Sequence, residues 1–285
     1  MNRSNAARPP STLGQTSGPI TLWLVGLTTA LLLVLLSSAC TPGEGEDAPA
    51  LLVGIAASIQ PAAEEFAARF QSENGISVTL VTGASGTLAE QLRQGAPLDL
   101  IVSADSRYTS ALAADGLLDP TSATVLATGE LVAITNLEGP ADDVASLLRS
   151  GAVRQIALAN PDIAPYGEAA RRYLRDLGVW DDVAERIAYG ENVAHAFQFV
   201  ASGNAEVGFV PRSLLIASDA RGIRALAPLP PEANVGLQVT AGVTSGSEAA
   251  DTAVRFIASM LDAQAIKTWE RFGYTPQLDK VGGVE

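Results

Sequence analysis

Two serines, each at the end of an apolar strand, are the residues in this chain best placed to do chemistry. Residues 53–61 read V-G-I-A-A-S-I-Q-P. The spacing predicts a strand that ends at Ser58 and a helix that opens with Pro61 in its first turn, where the missing proline N–H costs nothing. Residues 82–88 read T-G-A-S-G-T-L and repeat the arrangement at Ser85, with a strand before it and a helix after it. A hydroxyl at the amino end of a helix sits among backbone N–H groups that have no partner within the helix. The helix dipole favours negative charge at the same place. Two such junctions point to one site for a small oxyanion.

Two later junctions offer donors of the same kind. Residues 159–167 (A-N-P-D-I-A-P-Y-G) place Pro165 at a helix start and leave the Tyr166 and Gly167 N–H groups free. Residues 189–196 (Y-G-E-N-V-A-H-A) make Asn192 an N-cap, with the Val193 N–H in the first turn. An oxyanion fully deprotonated at pH 7 only accepts hydrogen bonds, so hydroxyls and N–H groups satisfy it, whereas a carboxylate would repel it. Catalysis has less to stand on. A serine nucleophile needs a base, and the only histidine, His195, falls in the first turns of a predicted helix. The G-x-S-x-G elbow, the phosphate loop and the dinucleotide fingerprint are all missing. The expectation is a binding protein and not an enzyme, with no cofactor. One cysteine and one histidine also exclude an internal disulfide or a His/Cys metal site.

The elements that position these residues alternate from residue 50 onward, as βαβ units with mainly parallel sheets do. Strands are predicted over 51–56, 76–81 and 98–102, with helices over 61–70, 87–94 and 106–114; Asp105 is a natural N-cap for the last of these. A long β run over 124–136, broken by Gly129, reads as a strand passing between two lobes. A second series follows: helix 142–148, strand 155–159, helix 166–177, a short helix over 181–187, helix 192–202 and strand 206–210. A second long β run over 235–243 precedes the closing helices 247–261 and 264–272. The fold class is therefore α/β with two lobes joined by two crossing strands and a cleft between them: 51–133 with 238–285, and 134–237. Ligands of open sheets bind outside the carboxyl ends of their strands.

The first forty residues stand apart. Residues 1–39 contain no acid, carry Arg3 and Arg8, and include an apolar run over 20–36 followed by S-S-A-C. That is a signal-peptide layout. Cys40 resembles the acylated cysteine of a bacterial lipobox, although Ser37 occupies the usual leucine position and Leu36 comes one earlier. Residues 40–50 read as the lipidated cysteine and a tether. The chain is therefore expected outside the cytoplasm, lipid-anchored to a membrane and monomeric. The whole chain has a formal charge of −13. An acidic surface speaks against nucleic acid as a partner, and it means that net charge cannot be what draws an anion in.

Taken together, G-I-A-A-S at 54–58, G-A-S-G-T-L at 83–88, Q-G-A-P-L-D-L-I-V-S-A-D at 94–105, N-P-D-I-A-P-Y-G at 160–167, L-G-V-W-D at 177–181, E-N-V at 191–193 and R-F-G-Y at 271–274 resemble the molybdate-binding proteins of ABC importers, over about residues 50–277. The resemblance implies a type II periplasmic-binding-protein fold and capture of molybdate, with tungstate beside it, for delivery to an ABC permease and its ATPase. It also implies an oxyanion held between the lobes by neutral donors: hydroxyl and backbone from Ser58 and Ser85, and backbone N–H from Tyr166 and Val193. No matched contact position is Asp or Glu, which leans against a protonated phosphate. Sulfate, or a role as a lipid-anchored sensor, is the alternative. Where many relatives place a ligand-touching tyrosine, this chain has Pro211; the expectation is that the Tyr166 hydroxyl or Arg212 partly replaces that donor, or that four donor residues suffice.

Overall fold

Short apolar runs, each followed by an amphipathic segment, build two sheets in the computed structural model, which describes residues 50–139, 143–219 and 221–277. The expected signal segment, Cys40, nearly all of the tether and the last eight residues assigned to the first lobe lie outside the described residues. Among the described residues no helix is long and apolar enough to cross a membrane.

In the first sheet β1 (Ala50–Ala56) lies between β2 (Ser77–Gly83) and β3 (Leu100–Ser103), all parallel, with Val53 opposite both Leu80 and Leu100. Next to β3 come β10 (Gln238–Val243), β4 (Thr124–Thr128) and the edge strand β11 (Thr275–Pro276), with β10 antiparallel to both β3 and β4. Helices α1 (Gln60–Asn74), α2 (Ser85–Arg93) and α3 (Ser106–Ala114) follow β1, β2 and β3.

The face of α1 carrying Ala62, Phe66 and Phe70 is buried. It packs on α9 (Ala250–Ser259) and α10 (Ala263–Arg271) through Phe66–Trp269 and Phe70–Phe256 ring contacts at 4.8 and 5.2 Å. Each such side chain contributes about 1.5–3 kcal/mol by leaving water. The cluster also fixes the chain end, since Tyr274 packs edge-on against Trp269 at 5.1 Å.

In the second sheet β6 (Ile156–Ala159) lies between β7 (Ile187–Gly190) and β8 (Val207–Pro211), all parallel. Antiparallel β5 (Leu131–Thr135) pairs with β8, and β9 (Arg224–Ala225) forms the edge. Helices α4 (Val144–Arg149), α5 (Pro165–Asp176), α6 (Trp180–Val183), α7 (Val193–Ala201) and α8 (Arg212–Ala217) flank it. Both sheets are thus mixed: their βα strands run parallel and the strands arriving from the crossings run against them.

The run expected over 124–136 is two strands in different sheets, and the chain changes lobe at Gly129 and Glu130. Leu131, Val132 and Ala133, expected in the first lobe, pair with Pro211, Val210 and Phe209 of the second. The run over 235–243 is likewise strand only from Gln238. The two crossings are tied to each other, because the Gly129 N–H donates to Leu237 O at 2.8 Å and the Leu131 N–H to Asn234 Oδ1 at 2.8 Å.

Candidate functional site

Each of the four junctions leaves helix N–H groups open, and sequence explains how. Helices α1, α2 and α5 have Ile59, Ala84 and Ala164 at their N-caps, none of which makes a side-chain cap. Helix α7 is capped by Asn192, whose Oδ1 accepts from the Ala194 and His195 N–H groups at 2.9 and 3.0 Å. That cap removes two of the first-turn donors and leaves Val193 as the one facing outward.

The four junctions meet around one small chamber. From the first lobe it is lined by Ala56, Ala57, Ser58, Gly83, Ala84, Ser85 and Ala104, and from the second by Ala164, Pro165, Tyr166, Asn192 and Val193. Ser58, Ser85, Tyr166 and Val193, singled out from the sequence, are all present, and no lining residue is charged. Ser58 is 2 % exposed, and its Oγ has no hydrogen-bond partner. A buried hydroxyl left unpaired is rare and calls for an explanation, because its desolvation goes uncompensated. Ser85 differs: its Oγ accepts from the Ala104 N–H at 3.1 Å, which occupies a lone pair and leaves the hydroxyl proton free to be donated.

Behind Ser58 lies a set of hydroxyls that sequence reasoning missed. The Ser58 carbonyl accepts from Ser213 Oγ at 2.6 Å and from the Tyr274 hydroxyl at 2.5 Å. The Tyr166 hydroxyl lies beside that of Tyr274. Burial pushes the Tyr274 hydroxyl up to about 12 and Tyr166 well above the usual phenol value, so both stay protonated at neutral pH. The network pins the Ser58 backbone from both lobes. It also corrects the expected stand-in for Pro211. The Tyr166 hydroxyl points to the crossing, where a Cβ on Gly129 would lie 1.9 Å from it. Arg212 pairs with Glu130 at 2.9 Å and is half exposed. Neither supplies a donor to the chamber.

Gly129→Ala should therefore overpack a pinned, buried phenol and cost about 1–3 kcal/mol. Tyr166→Phe removes the colliding oxygen, so a denaturation double-mutant cycle should show the pair coupled by about 1 kcal/mol or more. Additive effects would mean that the two groups do not meet.

Asp105 caps α3 as expected, with its Oδ1 accepting from the Arg107 N–H at 2.8 Å. It does more, because it follows Ala104 of the chamber lining in the chain and is itself only 2 % exposed. The Arg107 guanidinium covers it at 2.6 Å and reaches across to Glu168 of the second lobe. Hydrogen bonds to Asp105 and then to Glu168 hold Arg107 still more firmly protonated than usual. The buried charge of Asp105 is thus neutralised by a pairing within the protein. His195 lies elsewhere: its Nδ1 accepts from the Glu191 N–H at 3.4 Å, and its ring packs on Phe199 at 4.5 Å. Among the described residues no cluster of His, Cys, Asp or Glu could hold a metal ion.

Comparisons with known proteins agree with this geometry. A family model described as bacterial extracellular solute-binding protein matches residues 51–275. The solved periplasmic molybdate-binding protein of Azotobacter vinelandii is 30% identical, with a TM-score of 0.74, covering 80% of this chain and 100% of that one. The molybdate-binding protein of Rhodobacter capsulatus is 32% identical over 59% of this chain and 67% of its own length. That of Escherichia coli is 28% identical over 79% of this chain and 88% of its own. On the match over 51–275 and the two-lobed fold, the chain belongs to the bacterial extracellular solute-binding proteins.

Proposed function

We propose that this protein captures molybdate, and tungstate beside it, between its lobes and presents it to an ABC permease and its ATPase. Ser58, Ser85, Tyr166 and Val193 hold the guest. The observation that carries the reading is the unpaired, buried Ser58 hydroxyl in a chamber without a charged residue. A doubly negative tetrahedral anion supplies the acceptors that such a chamber lacks, and fixed dipoles in a water-poor site stabilise it strongly. The protein is a carrier and not an enzyme. Neither serine has a base beside it, since His195 packs on Phe199 and Asp105 is taken up by Arg107. It needs no cofactor, acts as a monomer, and is tethered outside the cytoplasm through a lipid on Cys40.

The test is a thermal-shift panel of molybdate, tungstate, sulfate, phosphate and chromate on the chain from residue 41 onward. At a hundredfold excess over Kd, binding adds about 2.7 kcal/mol, or about 5–10 °C for a chain of this size. Molybdate and tungstate should give the largest shifts. A larger shift with sulfate would change the cargo but keep the site. A larger shift with phosphate, or none with any of the five, would overturn the reading.

A further inference from the structure

The chamber has two halves, and something must set how closely they approach. Between α2 and the turn before α5 the lobes touch backbone to backbone: the Gly86 N–H donates to Ile163 O at 2.8 Å. A Cβ on Gly86 would lie 2.9 Å from Ile163 Cα, 2.9 Å from its carbonyl oxygen and 3.1 Å from its Cβ. Gly86 does not have the left-handed backbone that would demand glycine for local reasons. It sits in the first turn of a helix, where alanine is the better residue. Glycine is needed here only because the other lobe comes so near.

Both sides of the contact are stiff. Ile163 belongs to a turn folded onto Asn160, whose carbonyl accepts from the Ile163 and Ala164 N–H groups at 3.3 and 2.9 Å, while its Oδ1 accepts from Asp162 N–H at 3.0 Å. Gly86 is one residue from Ser85, and Ile163 is three from Tyr166. The distance at this contact therefore fixes the distance between the donors of the two lobes.

We propose that Gly86 is a specificity-determining position: its backbone contact with Ile163 is the stop against which the lobes close, and it sizes the chamber for an oxyanion of one radius. This rests on the proposed capture of an oxyanion and deepens it. Donor chemistry is the same toward sulfate, chromate, molybdate and tungstate, which all present oxygens alone. Discrimination among them must come from width, and a close-packed backbone contact is a width that side-chain motion does not relax.

The experiment is Gly86→Ala, with Gly86→Val as the graded second step, measured in three ways. In calorimetry the Kd for molybdate should rise at least tenfold for alanine and further for valine, with sulfate and chromate losing proportionally more than tungstate. Without anion, the alanine variant should melt no lower than wild type, which separates a propped cleft from a damaged fold. By hydrogen exchange, the residue 86 amide should be protected in wild type and unprotected in the alanine variant. A Kd within twofold of wild type, an equal loss for all four anions, or a lower unliganded Tm would overturn the proposal. If wild type bound none of the anions, the capture reading would fail by itself, and the proposed sizing role with it. The exchange of the residue 86 amide would still decide whether the contact is a stop between the lobes.

Discussion

Ser58→Ala is expected to weaken molybdate binding tenfold to a hundredfold while leaving the unliganded protein as stable as wild type, or more so. The two effects have one cause. Unliganded, the Ser58 hydroxyl is buried without a partner, an arrangement that costs about 1–3 kcal/mol. Removing the oxygen relieves that cost. With an oxyanion in place the same hydroxyl makes a hydrogen bond to a charged group, worth about 1.5–3 kcal/mol, and at 1.4 kcal/mol per factor of ten this sets the loss of affinity.

Ser85→Ala is the matched contrast. Its Oγ holds the Ala104 N–H at 3.1 Å, so alanine there leaves a buried N–H unpaired and should lower both affinity and Tm. Calorimetric titration with molybdate and a melt of each unliganded variant read both quantities. If Ser58→Ala melted well below wild type, its hydroxyl would have a structural partner after all. If it bound molybdate as wild type does, the chamber would not be the site.

The parts of this molecule legible in the sequence are those whose physics is local. A strand that ends in serine, a helix opened by proline and an Asn N-cap are each decided within a few residues. All four junctions, and Asp105 at the head of α3, follow from the order of neighbouring residues alone. Hydropathy also found the two crossings. It could not find where they change sheet, because Leu131 is as apolar as Leu126 and only its pairing with Pro211 assigns it to the second lobe. Strand β7 escaped notice for a related reason: four residues, one of them the half-exposed Tyr189, give no alternation to read.

The shell around Ser58 was out of reach because it is long-range. Ser213 and Tyr274 lie 155 and 216 positions from the carbonyl they bind; Ser213 stands in no pattern, and the R-F-G-Y run that holds Tyr274 gives no hint of its partner. Arg107 could be read as part of a solvated helix face, yet it spans both lobes. The Tyr166 side chain misled for the converse reason. Its place in the chain promised a donor at the ligand, whereas its ring runs past the chamber to the crossing, and only the backbone N–H remains for an anion.

Gly167→Ala is expected to cost about 3 kcal/mol, at the upper end for an overpacked interior, and to lower Tm by about 6–12 °C for a chain of this size. Helix α5 begins almost on top of the strand that leads to it. A Cβ on Gly167 would lie 2.1 Å from the Ala159 carbonyl oxygen and 2.8 Å from its carbon. Both are backbone atoms at the end of a buried strand, so the helix start must lift away. That lift carries off the Tyr166 N–H, one of the second lobe's two donors to the chamber, so molybdate affinity should fall together with stability. Gly151→Ala in the same lobe is the control, since a Cβ there meets nothing within 4 Å and alanine should be neutral or raise stability by up to about 1 kcal/mol. Paired melts and titrations decide the matter. A Gly167→Ala protein melting within a degree or two of wild type would show that the helix start has room to spare, and the donor geometry of the second lobe would then owe nothing to this close approach.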